Sequence, residues 1–193
     1  MDIFYDEIFP VSVFSFFREN DDLNKELLKN IYKIRETEES LMRSNKGGFH
    51  SPVNLNKRNI ECFDRLENEL LYTANNSILE QNFPKFSKLK CNEMTGMWFI
   101  LNKLNNYNVM HTHSRAWLSG VYYVKLPKEQ KNYIHFEDPI TIRKYYNITP
   151  TQYVKEVQEN MIILFPGWLP HKVPENTVDE ERIVISFNLE FPV

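Results

Sequence analysis

Two histidines separated by a single residue, His111 and His113, have the clearest chemical potential in this chain. They lie in a run, 108–113, that we predict to be a strand, where alternate side chains project from the same face. Two imidazole nitrogens side by side are what a divalent metal requires from one element. A third ligand must come from a distant segment, and His171 in the run LFPGWLPHKV is the candidate.

A purely structural interpretation of these histidines competes with the metal site. His111 and His113 can alternate by chance on a surface strand, and His171 can be a loop residue whose hydrogen bonds are satisfied. A third histidine between two prolines, in a chain with only 5 histidines, favours the metal site. The remaining two, His50 and His135, are not assigned to the metal.

The last strand that we predict, 182–190, carries an arginine on a mixed face. Alternation gives this strand an apolar face, expected in the core, and a second face made of Arg182, Val184, Ser186 and Asn188. A guanidinium with a nearby hydroxyl is a receptor for a carboxylate, because arginine offers a planar two-donor fork. The alternative is an edge arginine in a surface ion pair. Together with the histidines, the receptor interpretation is favoured.

Residues from 88 onward predict many short strands separated by turns. We expect strands near 88–104, 108–113, 117–125, 133–137, 140–143, 152–158, 161–165, 168–173 and 182–190. Breaks such as Asp138-Pro139 and Pro166-Gly167 contain turn-forming residues. Short strands at this spacing predict a sandwich or jelly-roll barrel.

The first part of the chain has a different pattern. Residues 3–17 are rich in aromatic residues and predict an edge strand or an extended segment. Apolar residues at three- to four-residue spacing predict one helix from residue 23 and a second across 63–74, both packed on one sheet. The fold class is therefore mostly β with N-terminal helices. We expect one domain, 1–193, with helical support in 1–87 and the β core in 88–193.

The composition excludes several classes of protein. The chain has 193 residues, which fits one domain, and 23 basic against 26 acidic residues, which argues against nucleic acid as a partner. Two cysteines are too few for a disulfide scaffold, and no apolar run reaches the ~18 residues that span a bilayer. We therefore expect a cytoplasmic protein without a membrane partner, and an exposed helical face in 23–77 could support a homodimer.

The amino-acid composition also indicates what kind of genome encodes the protein. The chain has two alanines and five glycines but 21 asparagines, a bias typical of AT-rich coding sequences. A virus such as a phage, with the protein in the host cytoplasm, or a low-GC bacterium is the expected source.

The order of the motifs resembles a known family. His-x-His followed by LSGVYYVKLP, FPGWLPHKV and RIVISFN is similar to the iron(II)- and 2-oxoglutarate-dependent oxygenase superfamily, and more narrowly to a subfamily of such oxygenases from bacteria and phages. The likeness extends upstream to MWFILNKLNNYNVMHTH and SNKGGFHSPVNL, and so spans most of residues 40–190. The superfamily fold is a double-stranded β-helix, a cupin-like jelly roll, which agrees with the strand pattern.

The resemblance implies that iron(II) is held by His111, His171 and His113. His113 stands where most members of the superfamily have Asp or Glu, and an imidazole there leaves the site one unit more positive. Two alternatives remain open. His113 lies outside the ligand set, or Glu137 or Asp138 supplies a carboxylate, although neither acid has the family position.

The resemblance also implies a site for 2-oxoglutarate. Arg182 matches the arginine that pairs with the far carboxylate of this cosubstrate. Several relatives have a hydroxyl residue two positions later, where this chain has Val184, so Ser186 could substitute. Tyr123 matches a tyrosine used in this way by prolyl-hydroxylase-like members, with core packing as its alternative. Asn102 could bind the near end of the cosubstrate.

The implied activity is that of an oxidoreductase, a dioxygenase that consumes 2-oxoglutarate and O2. It would hydroxylate a C–H bond of a peptide or small molecule and release succinate and CO2, with the cofactor supplying the difficult chemistry. The match at Tyr123 favours a peptide. The alternatives are a cupin-type three-histidine metal enzyme that does not use 2-oxoglutarate, and a non-catalytic binding module on the same fold.

Overall fold

A computed structural model of the protein describes residues 10–19, 22–79, 93–113, 116–140, 142–146 and 150–190. Its strands are β1 (Phe14–Phe17), β2 (Asn45–Lys46), β3 (Phe49–His50), β4 (Glu93–Asn102), β5 (Tyr107–His111), β6 (Leu118–Lys125), β7 (Tyr133–Glu137), β8 (Gln152–Glu156), β9 (Met161–Pro166), β10 (His171–Val173) and β11 (Arg182–Glu190). The helices are α1 (Leu23–Thr37), α2 (Glu61–Thr73) and α3 (Arg143–Tyr146), with a 3-10 turn at Leu55–Lys57 and a π-helical segment at Ala74–Leu79.

The strands form two antiparallel sheets. The six-stranded sheet has the order β1-β9-β6-β11-β4-β3, and the five-stranded sheet has the order β2-β5-β10-β7-β8. A cluster of buried side chains from both sheets, among them Trp98, Tyr123 and Phe136, fills part of the space between them. This arrangement confirms the expected class, mostly β with N-terminal helices.

The two long helices cover the outer face of the six-stranded sheet. Leu23, Leu27 and Ile31 of α1 are fully buried, as are Leu66 and Leu70 of α2, in one cluster with the outer face of that sheet. Each helix repeats its apolar residues every three to four positions, so one stripe faces the sheet and the opposite side faces water. No helix in the described ranges is both long enough and apolar enough to cross a bilayer.

The N-terminal part contributes strands as well as helices. β1 pairs with β9 at the edge of the six-stranded sheet, as the pattern in residues 3–17 predicts for its described part. β2 pairs with β5 in one sheet, while β3 pairs with β4 in the other. Gly47 and Gly48 connect them with φ of 66° and 59°, which residues with a Cβ rarely adopt. The segment 45–50 therefore joins the two sheets along one side.

The strand predictions at 140–143 and 168–173 need correction. The strand expected at 140–143 is wrong, because Arg143–Tyr146 form a helical turn. Asp138 begins this turn by accepting the Ile140 N–H at 2.9 Å and by pairing with Arg143 at 3.5 Å. The strand expected at 168–173 begins only at His171, because the Leu169 N–H donates to the Pro166 carbonyl at 2.9 Å and closes a turn.

Candidate active site

The three histidines predicted to bind a metal lie close together, two of them on strands of the five-stranded sheet and His113 just beyond the end of β5. His111 ends β5 and His171 begins β10, and the two are direct partners in the antiparallel register, with ring centroids 4.3 Å apart. The ring of His113 lies 5.1 Å from that of His111 and 5.2 Å from that of His171. One nitrogen of each ring falls within 4.8 Å of the other two, a spacing at which a single metal ion can be bound.

Backbone carbonyls fix the tautomers of two of these histidines. The Nδ1 of His111 lies 2.8 Å from the Val109 oxygen, and the Nδ1 of His171 lies 2.9 Å from the Leu169 oxygen. A carbonyl can only accept, so each Nδ1 donates its proton and each Nε2 keeps a lone pair. This is the usual arrangement of a metal-binding histidine, whose second nitrogen donates to a nearby acceptor.

His113 reaches the cluster through a turn rather than through strand alternation. β5 ends at His111, so the prediction of a strand to residue 113 is wrong at its end. The His113 N–H donates to the Gly167 carbonyl at 2.7 Å, and its own carbonyl accepts from the Ala116 N–H at 2.8 Å. A Cβ at Gly167 would lie 2.2 Å from the Ala116 oxygen and 2.6 Å from that of His113. This close approach therefore requires glycine.

Burial keeps the three imidazoles neutral. It lowers the pKa of His171 to about 3 and that of His113 to about 4, and in both the neighbouring His111 contributes further. Burial also lowers the pKa of His111. Only a neutral imidazole has a lone pair for a metal, so these groups are ready to bind one at neutral pH without first losing a proton.

The histidines face a cavity of about 520 Å³ between the two sheets. Its opposite wall belongs to the six-stranded sheet and includes the mixed face of β11, namely Arg182, Val184, Ser186 and Asn188. The alternate residues of that strand, Ile183, Ile185, Phe187 and Leu189, are fully buried on the helix side. The alternation predicted for β11 is thus confirmed.

Arg182 and Tyr123 form a polar corner of the cavity. Arg182 is 4% exposed, its Nη1 donates to the Tyr133 carbonyl at 3.3 Å, and its Cζ lies 5.6 Å from the centre of the Tyr123 ring. Among the described residues, neither the Arg182 Nε nor the Tyr123 hydroxyl has a hydrogen-bond partner. Burial raises the pKa of Tyr123 to about 12, so its hydroxyl stays protonated and can donate. The two groups interact with each other electrostatically, and the Tyr123 hydroxyl and the Arg182 Nε–H can donate to a ligand.

No carboxylate stands among the described residues that line this cavity. A buried guanidinium without a counter-charge is unfavourable, and an anion that accepts its free N–H would relieve that cost. Together with the Tyr123 hydroxyl, the corner therefore fits a carboxylate ligand.

Asn102 and Ser186 lie on the same wall of the cavity, but their side chains make different contacts. The Asn102 side chain is almost completely buried, and its Nδ2 donates to the Asn108 Oδ1 at 3.1 Å. Its Oδ1 has no hydrogen-bond partner among the described residues and faces Gly48, where a Cβ would lie 2.4 Å away. Asn102 is thus held by its neighbours, whereas Ser186 is paired across from Trp98 and lines the cavity.

The two carboxylates considered as alternative ligands lie elsewhere. Neither Glu137 nor Asp138 belongs to the histidine cluster or to the described lining of the cavity. The Asp138 carboxylate is engaged with Arg143 and the Ile140 N–H, as described above. His135, on β7, is also absent from that lining.

The sequence did not predict the cavity wall formed by residues 43–53. Arg43, Ser44, His50 and Val53 line it from the segment 43–53. The His50 Nδ1 lies 2.7 Å from the Ser51 oxygen, and its ring stacks on Trp98 at 5.9 Å. Strands of two residues are too short to show alternation, so the local sequence marks this element only by the Gly47-Gly48 pair.

Comparison with known proteins agrees with the geometry. Residues 96–188 match the family described as "Putative 2OG-Fe(II) oxygenase", and this range contains the three clustered histidines and Arg182. No curated protein sequence gives a significant match.

Solved structures with the same architecture extend over nearly the whole chain. The protein is similar to a prolyl-4-hydroxylase of Pseudomonas putida, with a TM-score of 0.65, 14% identity, and 95% of this chain and 94% of that chain covered. It is also similar to the viral collagen prolyl hydroxylase of Paramecium Bursaria Chlorella virus-1 in its 2-oxoglutarate complex, with a TM-score of 0.60, 12% identity and coverage of 94% and 96%.

A third similar structure is HygX of Streptomyces hygroscopicus with nickel, 2-oxoglutarate and hygromycin B bound, with a TM-score of 0.64, 8% identity and coverage of 93% and 82%. At these identities the likeness establishes the fold, which is the expected double-stranded β-helix. The match across residues 96–188, just under half of the chain, identifies this range as a 2OG-Fe(II) oxygenase domain, and the matched family is named for iron(II) and 2-oxoglutarate.

Proposed function

We propose that the protein is an iron(II)- and 2-oxoglutarate-dependent dioxygenase that hydroxylates a C–H bond of a peptide or a small molecule. One observation carries the proposal. A single cavity has three neutral histidines on one wall, with donor nitrogens within 4.8 Å of one another, and a buried arginine with a free N–H on the other.

The three imidazole nitrogens would bind iron(II), with His111, His113 and His171 as its ligands. Imidazole nitrogens bind divalent iron well, and three protein ligands leave coordination positions for a cosubstrate and for O2. The carbonyls of Val109 and Leu169 orient two of the three rings, which holds the lone pairs on one point.

The polar corner fits the far carboxylate of 2-oxoglutarate. The Arg182 guanidinium would bind that carboxylate through its free Nε–H, and the Tyr123 hydroxyl would donate a second hydrogen bond. Ser186, four residues along the same face of β11, would supply a further donor in place of the hydroxyl that Val184 lacks. Asn102 would contact the near end of the cosubstrate through its side-chain amide.

Iron(II) bound to these histidines would supply the activation of O2 that couples oxidative decarboxylation of 2-oxoglutarate to oxidation of the substrate. One oxygen atom enters succinate, with release of CO2, and the other enters the C–H bond as a hydroxyl group. The protein residues would position the two substrates in a cavity whose walls are mainly apolar. No side chain has to act as a nucleophile.

The same comparison supports a peptide or a small molecule as the substrate. The similar structures include an enzyme named for collagen as its substrate and one with hygromycin B bound. The match at Tyr123 to prolyl-hydroxylase-like members favours a peptide. A cytoplasmic location, a viral or low-GC source, a homodimer and the single-domain boundaries stay predictions from the sequence.

Binding and turnover of 2-oxoglutarate test the proposal. Purified protein should bind one Mn(II) or Fe(II) by calorimetry and then bind 2-oxoglutarate, and with Fe(II) and O2 it should form succinate. The double variant His111→Ala/His171→Ala should lose the metal and all succinate formation. Arg182→Gln should keep the metal but lose 2-oxoglutarate binding.

The outcomes separate the alternatives. Metal binding without any response to 2-oxoglutarate would contradict the proposal in favour of a cupin-type three-histidine enzyme. Failure to bind any divalent metal would contradict it in favour of a non-catalytic module. Succinate formation that survives in the double variant would remove the histidines from the mechanism.

A further inference from the structure

One wall of the cavity lies outside the residues matched by the oxygenase family. The matched range is 96–188, and it contains the histidines and the Arg182 corner. Arg43, Ser44 and His50 line the same cavity from the segment that joins the two sheets. Because the reaction machinery lies in the matched range, this added wall is free to recognise the substrate.

The backbone of this wall is firmly attached to the strand that carries His111. The Arg43 N–H donates to the Asn45 Oδ1 at 2.9 Å, and Asn45 is completely buried. The Val109 N–H donates to the Ser44 carbonyl at 2.9 Å, and the Asn108 Nδ2 donates to the Ser44 Oγ at 3.2 Å. The position of Arg43 beside the cavity is therefore set by β5.

Charge in the cavity is unbalanced. Its described lining includes two arginines, Arg43 and Arg182, and no Asp or Glu. Three neutral histidines add no negative charge to a divalent iron, and the two carboxylates of 2-oxoglutarate offset only the two charges of that ion. With both cofactors in place, two positive charges remain on the walls.

Of the two arginines that line the cavity, Arg43 is the one without a proposed partner. Arg182 is buried beneath the proposed cosubstrate, whereas the Arg43 side chain is exposed, lines the cavity and forms no ion pair with any described residue. Its guanidinium offers a planar fork that suits a carboxylate or a phosphate.

We propose that the substrate carries a negatively charged oxyanion group, and that Arg43 binds this group at the mouth of the cavity. The proposal rests on the proposed function, since it assigns the substrate class of that same site. His50 adds a second contact. Its Nδ1 donates to the Ser51 carbonyl, which leaves an acceptor at Nε2 for a hydroxyl or amide N–H of the substrate.

Matched probes test this inference. Protein loaded with Mn(II) and saturated with 2-oxoglutarate would be titrated with the α-amides of N-acetylglutamate, N-acetyl-O-phosphoserine, N-acetylglutamine and N-acetyllysine, and binding measured by calorimetry. An anionic probe should bind about fivefold more tightly than the glutamine probe, the order expected for an exposed ion pair. Its advantage should shrink as NaCl is raised. Comparison of the glutamate probe with the phosphoserine probe shows whether the site prefers a carboxylate or a phosphate.

Two variants complete the test. Arg43→Gln should abolish the preference for the anionic probe, while Lys46→Gln, which removes an exposed charge from the same segment outside the cavity lining, should keep it. Equal binding of all four probes, or a preference that survives Arg43→Gln, would overturn the inference while the proposed function stands. Failure of the wild type to bind 2-oxoglutarate would instead overturn the proposed function, and this inference with it.

Discussion

Tyr122 and Tyr123 are neighbours on β6 with opposite environments. Both are fully buried. The Tyr122 hydroxyl donates to the Asn24 Oδ1 at 2.6 Å and lies 3.2 Å from the Asn160 Oδ1, beneath helix α1. Tyr123 lines the cavity, and its buried hydroxyl has no hydrogen-bond partner among the described residues. A one-residue step along a strand thus separates a group that stabilises the fold from one available to a ligand.

Removing each hydroxyl should therefore have different effects. Tyr122→Phe should lower the free energy of unfolding by about 1 kcal/mol, because the half-buried Asn24 Oδ1 loses the hydrogen bond that the Tyr122 hydroxyl donates. Tyr123→Phe should change it by less than about 0.5 kcal/mol but weaken 2-oxoglutarate binding about five- to tenfold. Urea unfolding and calorimetry on both variants measure these effects. Equal losses of stability would contradict the assignment.

His171 and His135 lie in different environments, and only His171 belongs to the proposed metal site. His171 is 3% exposed and belongs to the triad, whereas His135 lies on β7 and is absent from the described cavity lining. His171→Ala should weaken Mn(II) binding more than about 100-fold, since loss of an outer partner alone costs about 10–100-fold. His135→Ala should leave the metal affinity unchanged. A similar loss in both variants would show that the triad is not the site.

At the scale of elements, a strand pair and a turn build the proposed metal site. The antiparallel register of β5 and β10 sets His111 opposite His171. The turn from Pro166 to Pro170 brings the Gly167 carbonyl to the His113 N–H and the Leu169 carbonyl to the His171 Nδ1. This turn therefore orients two of the three proposed ligands.

A methyl group in that turn should disturb the site. In Gly167→Ala the added Cβ would meet two backbone oxygens, at 2.2 Å and 2.6 Å, which cannot move without shifting the His113 segment. We expect metal affinity to fall about tenfold and the free energy of unfolding to fall by about 1–3 kcal/mol.

Trp168→Ala is the control for this turn. Its side chain is 51% exposed, so its loss should change neither the metal affinity nor the free energy of unfolding appreciably. Calorimetric metal titration and urea unfolding compare the two variants. Wild-type metal affinity in Gly167→Ala would show that the turn does not position His113.

At the scale of the molecule, the binding cavity reduces the stability of the fold. Arg182 is buried on the wall of a cavity whose described lining has no carboxylate. Desolvation of this cation is unfavourable and lowers its pKa, although an arginine remains charged. Tyr123 and Arg182 therefore keep unpaired donors that only a bound anion would satisfy.

Arg182→Met should separate stability from function. Without ligand, the variant should be as stable as the wild type or more stable, because an apolar side chain replaces an unpaired buried charge. The wild type with Mn(II) should gain about 2.7 kcal/mol at a 2-oxoglutarate concentration of about 100 times Kd, a Tm rise of about 5–10 °C. The variant should show almost none of this rise.

The control ligand is 2-oxovalerate, which keeps the 2-oxo acid but has a methyl group in place of the far carboxylate. It should stabilise the wild type and Arg182→Met equally, and both less than 2-oxoglutarate stabilises the wild type. Thermal unfolding followed by circular dichroism measures all four combinations. A full 2-oxoglutarate shift in Arg182→Met would contradict the proposed role of Arg182.

The sequence alone determined the parts of this protein that depend on local periodicity. The two-residue repeat of β11 divides a cavity face from a core face, and the spacing of apolar residues predicts α1 and α2. The order of the motifs that contain His111, His171 and Arg182 also carries the resemblance to the oxygenase family. The two periodic features depend only on neighbours within a few residues.

Only the tertiary structure determines which distant segments come into contact. His113 joins the triad through the distant Gly167, and the wall with Arg43 and His50 exists because a glycine corner links the two sheets. The absence of a carboxylate from the described cavity lining also becomes visible only when both sheets are in place. Contacts between distant segments depend on register and packing, which leave no periodic signal in the sequence.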